Sequence, residues 1–149
     1  MAHLLIVAHS PLATSLQAVA QHVYPDCAGV LTAVDVLPGK TPDEVKARLQ
    51  AVLAAWPNEE VLILADVFGA SPCNAAMAVA DGVRSRVVAG VNVPMLWRTL
   101  CYADRPLADL VDRAVAGATQ GVMQVSAPHR QHQTTPQTSH DQVEHHDQQ

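Results

Sequence analysis

Four short apolar runs, each closing on a polar or turn residue, constrain this chain more than any other feature. Leu4-Leu5-Ile6-Val7-Ala8 stops at His9, and Val61-Leu62-Ile63-Leu64-Ala65 stops at Asp66. Between them Val30 to Val36, rich in β-branched residues, closes on Leu37-Pro38-Gly39, and Arg86 to Gly90 runs into Val91-Asn92-Val93-Pro94. None shows the sustained apolar–polar alternation of a strand with one wet face, so each reads as a parallel strand covered on both sides.

The intervening segments carry helical periodicity. Leu12, Leu16, Val19 and Val23 share one face through about Tyr24, where Pro25-Asp26 ends the pattern. Thr41-Pro42-Asp43-Glu44 combines a cap, a proline at the first position and a glutamate at the third, and Val45, Leu49, Val52, Leu53 and Trp56 follow on one face. Ser10-Pro11 and Ser71-Pro72 read as helix starts, with serine as N-cap and proline as the first helical residue. The Ser71 helix runs to about Gly82, another opens at Pro94, and Pro106 starts a last one through roughly Gln120. Gly121 to Val125 reads as a short fifth strand.

Strands alternating with helices predict an α/β fold with a doubly wound parallel sheet, flavodoxin-like, in the order 2-1-3-4. The switch point then lies between strands one and three, the position where ligands bind in open sheets. His9 and Asp66 end those two strands and converge there.

With 149 residues the chain suits one domain. Its hydrophobic content of 49% excludes global disorder, and one Phe, two Tyr and two Trp leave an aliphatic core. A net charge of −5, with Lys and Arg scattered, excludes a phosphate-neutralising stripe and hence nucleic acid as a partner. No segment near the amino terminus is long or basic enough for a signal peptide or membrane helix, so the expected location is cytoplasmic, without membrane insertion. The three cysteines form no CxxC pair and read as reduced, mostly buried thiols. Beyond Val125 composition changes: residues 126–149 hold five of the eight histidines and six glutamines, with hardly any large apolar side chain. They are expected to form a disordered tail behind a domain at 1–125. His129, His132, His140, His145 and His146 are irregularly spaced and have no cysteine partners, so no metal site is assigned.

A histidine paired with a carboxylate has one ring nitrogen fixed and the other free to attack. Beside such a pair, helix amino termini after Ser10 and Ser71, with a third after Val93, favour an anion, and Ser71 and Asn74 add short polar donors. That set suits phosphoryl transfer through a phosphohistidine. No GxxxxGK[ST] or GxGxxG loop is present, so no nucleotide cofactor is expected and the phosphate must come from another phosphoprotein. A hydrolase with Ser10 or Ser71 as nucleophile and His9 as base uses the same residues, but no GxSxG elbow accompanies them. Simpler roles remain open for each: a turn for His9, caps for Asp66, Ser71 and Asn74, a turn for Asn92, and a loop contact for Asp35. Phe68 reads equally as an exposed partner contact or a half-buried loop residue.

Over roughly residues 3 to 125 the chain resembles the IIA component of the mannose-type branch of the bacterial sugar phosphotransferase system. The resemblance rests on the strand-ending His9, on Asp35-Val36-Leu37-Pro38-Gly39, on Asp66-Val67-Phe68-Gly69-Ala70-Ser71-Pro72-Cys73-Asn74, and on Gly90-Val91-Asn92-Val93-Pro94-Met95. It implies that His9 takes a phosphoryl group from the histidine phosphocarrier protein and passes it to a IIB component, with Asp66 as the carboxylate beside it. It also implies a homodimer whose last strand can be exchanged between subunits. The family usually has glycine after its active histidine and a Gly-Gly pair before Ser-Pro, whereas this chain has Ser10-Pro11 and Gly69-Ala70. A regulatory phosphoprotein that moves no sugar would use the same pocket, and sugar identity is not encoded in a component that does not touch sugar.

Overall fold

Because each strand presents apolar side chains to both faces, the sheet divides the core in two. A computed structural model describes residues 1–128. Its strands are β1 (His3–His9), β2 (Leu31–Val36), β3 (Val61–Ala65) and β4 (Ser85–Ala89), all parallel, in the order β2-β1-β3-β4. The helices are α1 (Leu12–Val23), α2 (Pro42–Leu53), α3 (Ser71–Val79), α4 (Val93–Cys101) and α5 (Leu107–Gln120), with a 3-10 turn at Pro25–Gly29. Leu4, Ile6 and Ala8 of β1, with Leu62 and Leu64 of β3, meet Leu16 of α1, Leu96 of α4 and Leu110 of α5. The alternate residues Leu5, Val7, Ile63 and Ala65 face Val45 and Leu49 of α2 and Cys73 and Ala76 of α3. This is the doubly wound sheet that the uniformly apolar strands require.

Local chemistry sets most boundaries. Thr41 accepts the Glu44 N–H while the Glu44 carboxylate accepts the Thr41 N–H, closing the expected capping box of α2. Asn92 caps α4 by accepting the Met95 N–H at 2.9 Å, and its amide also donates to the Ala118 carbonyl. Helices α4 and α5 approach closely because Gly117 and Gly121 lack side chains: a Cβ on Gly121 would stand 2.3 Å from Pro94 Cβ. Cys27 and Cys73 are buried and Cys101 is exposed, all three as free thiols.

Three expectations are corrected. Ser10 is not the N-cap of α1; Pro11 holds that position, with no side-chain cap of its own. Ser71 is likewise the first residue of α3 instead of its cap, which is Ala70, so Pro72 falls at the second position. The fifth strand is not formed within the single chain: residues 122–128 carry no helix or strand. Val122, Met123 and Val125 are 75%, 68% and 84% exposed, since a segment with no neighbouring strand has no surface against which to bury its apolar side chains. The tail histidines lie outside the described residues.

Candidate functional site

The site stands where β1 and β3 end side by side. Register pairs Val7 with Ala65, so His9 and Asp66 emerge together from the carboxyl edge of the sheet. Their helices then part, α1 to one face and α3 to the other, which opens the switch point at this position. Asp66 Oδ2 accepts the His9 backbone N–H at 2.9 Å and stands 2.6 Å from His9 Nδ1. Its other oxygen accepts the Val67 N–H at 2.9 Å. Burial raises the Asp66 pKa, but the bonds from the His9 N–H, the His9 ring and the Val67 N–H together outweigh it and hold the carboxyl below its ordinary value.

An ionised carboxylate only accepts, so Nδ1 is the donor, and in the neutral form of the ring the lone pair falls on Nε2. Nε2 has no hydrogen-bond partner among the described residues. The His9 side chain is 55% exposed while that of Asp66 is only 10% exposed, so the carboxylate is covered and the ring reaches solvent. That asymmetry suits attack on a group delivered by another macromolecule. A concavity of about 500 Å³ against Met1, Tyr24, Cys27 and Cys101 includes none of the site residues.

The helix amino termini differ in what meets them. The first-turn N–H groups of α2 and α4 meet Thr41 and Asn92, and the Leu107 N–H of α5 meets the Glu60 carboxylate at 3.2 Å. Helix α1 is capped from a distance: Asp35, on β2, accepts the Thr14 N–H at 3.1 Å and the Thr14 hydroxyl at 2.6 Å. Among the described residues no side chain caps α3, which begins five positions beyond Asp66. Of the anticipated phosphate ligands, Ser71 and Asn74 sit one turn apart on that helix and are exposed, with side chains free of hydrogen bonds among the described residues. Ser10 donates its N–H to the Val36 carbonyl at 3.0 Å, and neither serine hydroxyl bonds to His9. Phe68 is 74% exposed, not half-buried. No group of three or more His, Cys, Asp or Glu side chains among the described residues is placed to hold a metal ion.

The Asp35 cap was not legible from local pattern, since its partner lies 21 residues away. The available signal was a lone aspartate inside a β-branched strand, next to the strand that ends in His9. Asn92 does the work of a cap where a simple turn was the reading.

The family model described as PTS system fructose IIA component matches residues 3–115. The chain is 37% identical over 98 residues to the PTS system mannose-specific EIIAB component of Escherichia coli strain K12, covering 63% of this chain. It spans only 30% of that relative's length. It is 34% identical over 102 residues to the PTS system fructose-specific EIIA component of Bacillus subtilis, covering 66% of this chain and 69% of that one. Among solved structures, the mannose/sorbose specific IIA subunit from Enterococcus faecalis superposes with a TM-score of 0.78 at 24% identity, over 85% of this chain and 96% of that one. At that identity the likeness bears on the fold, which is the same doubly wound sheet. The family match spans both strand ends, His9 and Asp66 included, and the chain belongs to the IIA family of the bacterial sugar phosphotransferase system.

Proposed function

We propose that this chain is a phosphocarrier in which His9 Nε2 accepts a phosphoryl group from the phosphorylated histidine phosphocarrier protein and passes it to a IIB component. The observation that carries this reading is the His9–Asp66 pair, with Nδ1 engaged at 2.6 Å on a ring more than half exposed. In the transfer, the Nε2 lone pair forms a bond to phosphorus as the phosphorus–nitrogen bond to the donor histidine breaks, and the donor leaves with that electron pair. The His9 ring, already protonated at Nδ1, becomes cationic, and the Asp66 carboxylate neutralises it until the group moves on. The uncapped amino end of α3, with Ser71 and Asn74 on its first turn, supports the assignment of the phosphoryl oxygens to that helix. No helix is long and apolar enough to cross a membrane among the described residues, which accords with a cytoplasmic carrier that meets its partners by docking.

The phosphocarrier unit is assigned to residues 1–125, with 126–149 dispensable for transfer. The unit is proposed to act as a homodimer in which residues 121–125 of each copy pair with a sheet edge of the other, since Val122, Met123 and Val125 are otherwise left in water. The test is incubation with phosphorylated carrier protein followed by mapping of acid-labile phosphate. Label on His9, lost in His9→Ala, supports the reading, and label retained by His9→Ala overturns it. Onward transfer to an added IIB component separates a transport role from a purely regulatory one.

A further inference from the structure

We propose that Asp35, acting through Thr14, is a positioning residue for the His9 ring; this rests on His9 being the phosphoryl acceptor, as proposed above. In the turn after His9 the Pro11 carbonyl accepts from Ser15 and lies 3.2 Å from the Thr14 hydroxyl, but the turn supplies no acceptor for the first N–H groups of α1. Pro11 stands at the N-cap of α1 and offers neither an N–H nor a side-chain acceptor. Strand β2 provides the hold instead. Its register sets Ala8 against Asp35 and His9 against Val36. The Val36 carbonyl accepts the Ser10 N–H at 3.0 Å, and the two Asp35 oxygens accept the Thr14 N–H and hydroxyl at 3.1 and 2.6 Å. Ser15 ties the Pro11 carbonyl into the same turn with a bond of 2.7 Å. The chain leaving His9 is therefore gripped by β2 on one side, while Asp66 of the β3 end grips His9 itself on the other.

A cap as such does not require charge, for Thr41 and Asn92 close α2 and α4 with neutral side chains. A carboxylate does two further things here. Its short charge-assisted bond to Thr14 holds the turn more stiffly than a neutral cap. It also offsets the positive end of α1, so that α3 is left as the amino terminus beside Asp66 without an acidic or capping side chain. In-line transfer needs the attacking nitrogen held in a near-attack geometry, and small misplacement slows the step far more than it weakens docking of a protein partner. The clamp should therefore show in kcat and not in KM.

The test is steady-state transfer from the phosphorylated carrier protein, with an added IIB component to discharge His9, through the full chain carrying Asp35→Asn, Thr14→Val, Thr14→Ser or His9→Ala, with rates corrected for the folded fraction. Asp35→Asn and Thr14→Val are expected to lower kcat ~10–30-fold, with KM for the carrier held within about twofold, because each breaks a hydrogen bond to a charged group. Thr14→Ser restores the hydroxyl and the rate, and the double variant Asp35→Asn/Thr14→Val is no slower than Asp35→Asn, since both remove one link. Should Asp35→Asn fail to fold, Thr14→Val with its Thr14→Ser rescue decides. A wild-type kcat in Thr14→Val, or a change confined to KM or melting temperature, overturns the positioning role alone when His9→Ala is inert. Label taken up by His9→Ala overturns the acceptor assignment and this inference with it.

Discussion

Replacing Asp66 with asparagine tests the site where its chemistry is most concentrated. One carboxylate meets three donors: the His9 N–H, His9 Nδ1 and the Val67 N–H. An amide cannot serve all three. With its oxygen toward His9, the NH₂ faces the Val67 N–H; turned the other way, the NH₂ faces His9, and Nδ1 must give up its proton to accept. The second arrangement moves the proton to Nε2 and removes the nucleophile. Both arrangements lose the negative charge that balances the phosphorylated ring. Hydrogen bonds to charged groups contribute ~1.5–3 kcal/mol each, and the comparable aspartate-to-asparagine change in serine proteases lowers kcat ~10⁴-fold. We therefore expect a transfer rate ~10²–10⁴-fold lower, equivalent to about 3–5 kcal/mol of barrier, measured by rapid-quench transfer from the phosphorylated carrier protein.

The fold should survive, and the pH dependence supplies an independent check. The Asp66 pKa is lower in the folded chain than the unfolded value of 3.8, so its contribution to stability is present above that value and is lost as pH falls through the folded pKa. Asp66→Asn should therefore show a shallower loss of melting temperature below about pH 4 than the wild type. Transfer at the wild-type rate in Asp66→Asn would refute the assigned role, leaving backbone groups to orient His9. An unchanged acid profile would show that the carboxylate is not held ionised by these bonds.

Asp81 accepts the N–H groups of Val83, Arg84 and Ser85, and its pKa falls to about 2. Its stabilisation holds above the unfolded value of 3.8 and fades towards about 2, so Asp81→Asn should flatten the acid end of a melting-temperature profile. Gly121→Ala would set a methyl group 2.3 Å from Pro94 Cβ, and chemical denaturation should show a loss of ~1–3 kcal/mol as α4 and α5 are forced apart. Truncation after Val125 should leave melting temperature and phosphate acceptance unchanged, whereas truncation after Gln120 should convert the expected dimer to monomer by light scattering. A monomer from the full chain at micromolar concentration would remove the basis for strand exchange.

Sequence alone determined the four parallel strands, their 2-1-3-4 order and the meeting of His9 with Asp66. Doubly apolar strands admit few covered arrangements, and right-handed crossovers fix which strand ends become neighbours. The Thr41 capping box was equally legible, because every group in it lies within four residues. Tertiary structure decided the rest of the site. Ser10-Pro11 and Ser71-Pro72 look alike as dipeptides, yet one starts a helix capped by Asp35 from another strand and the other starts a helix that no side chain caps among the described residues. Local propensity does not distinguish them, since the difference comes from what the neighbouring strand carries at the same register. The segment after Gly121 has strand-forming residues but no strand beside it among the described residues, and β structure is stabilised by its partner rather than by its own sequence.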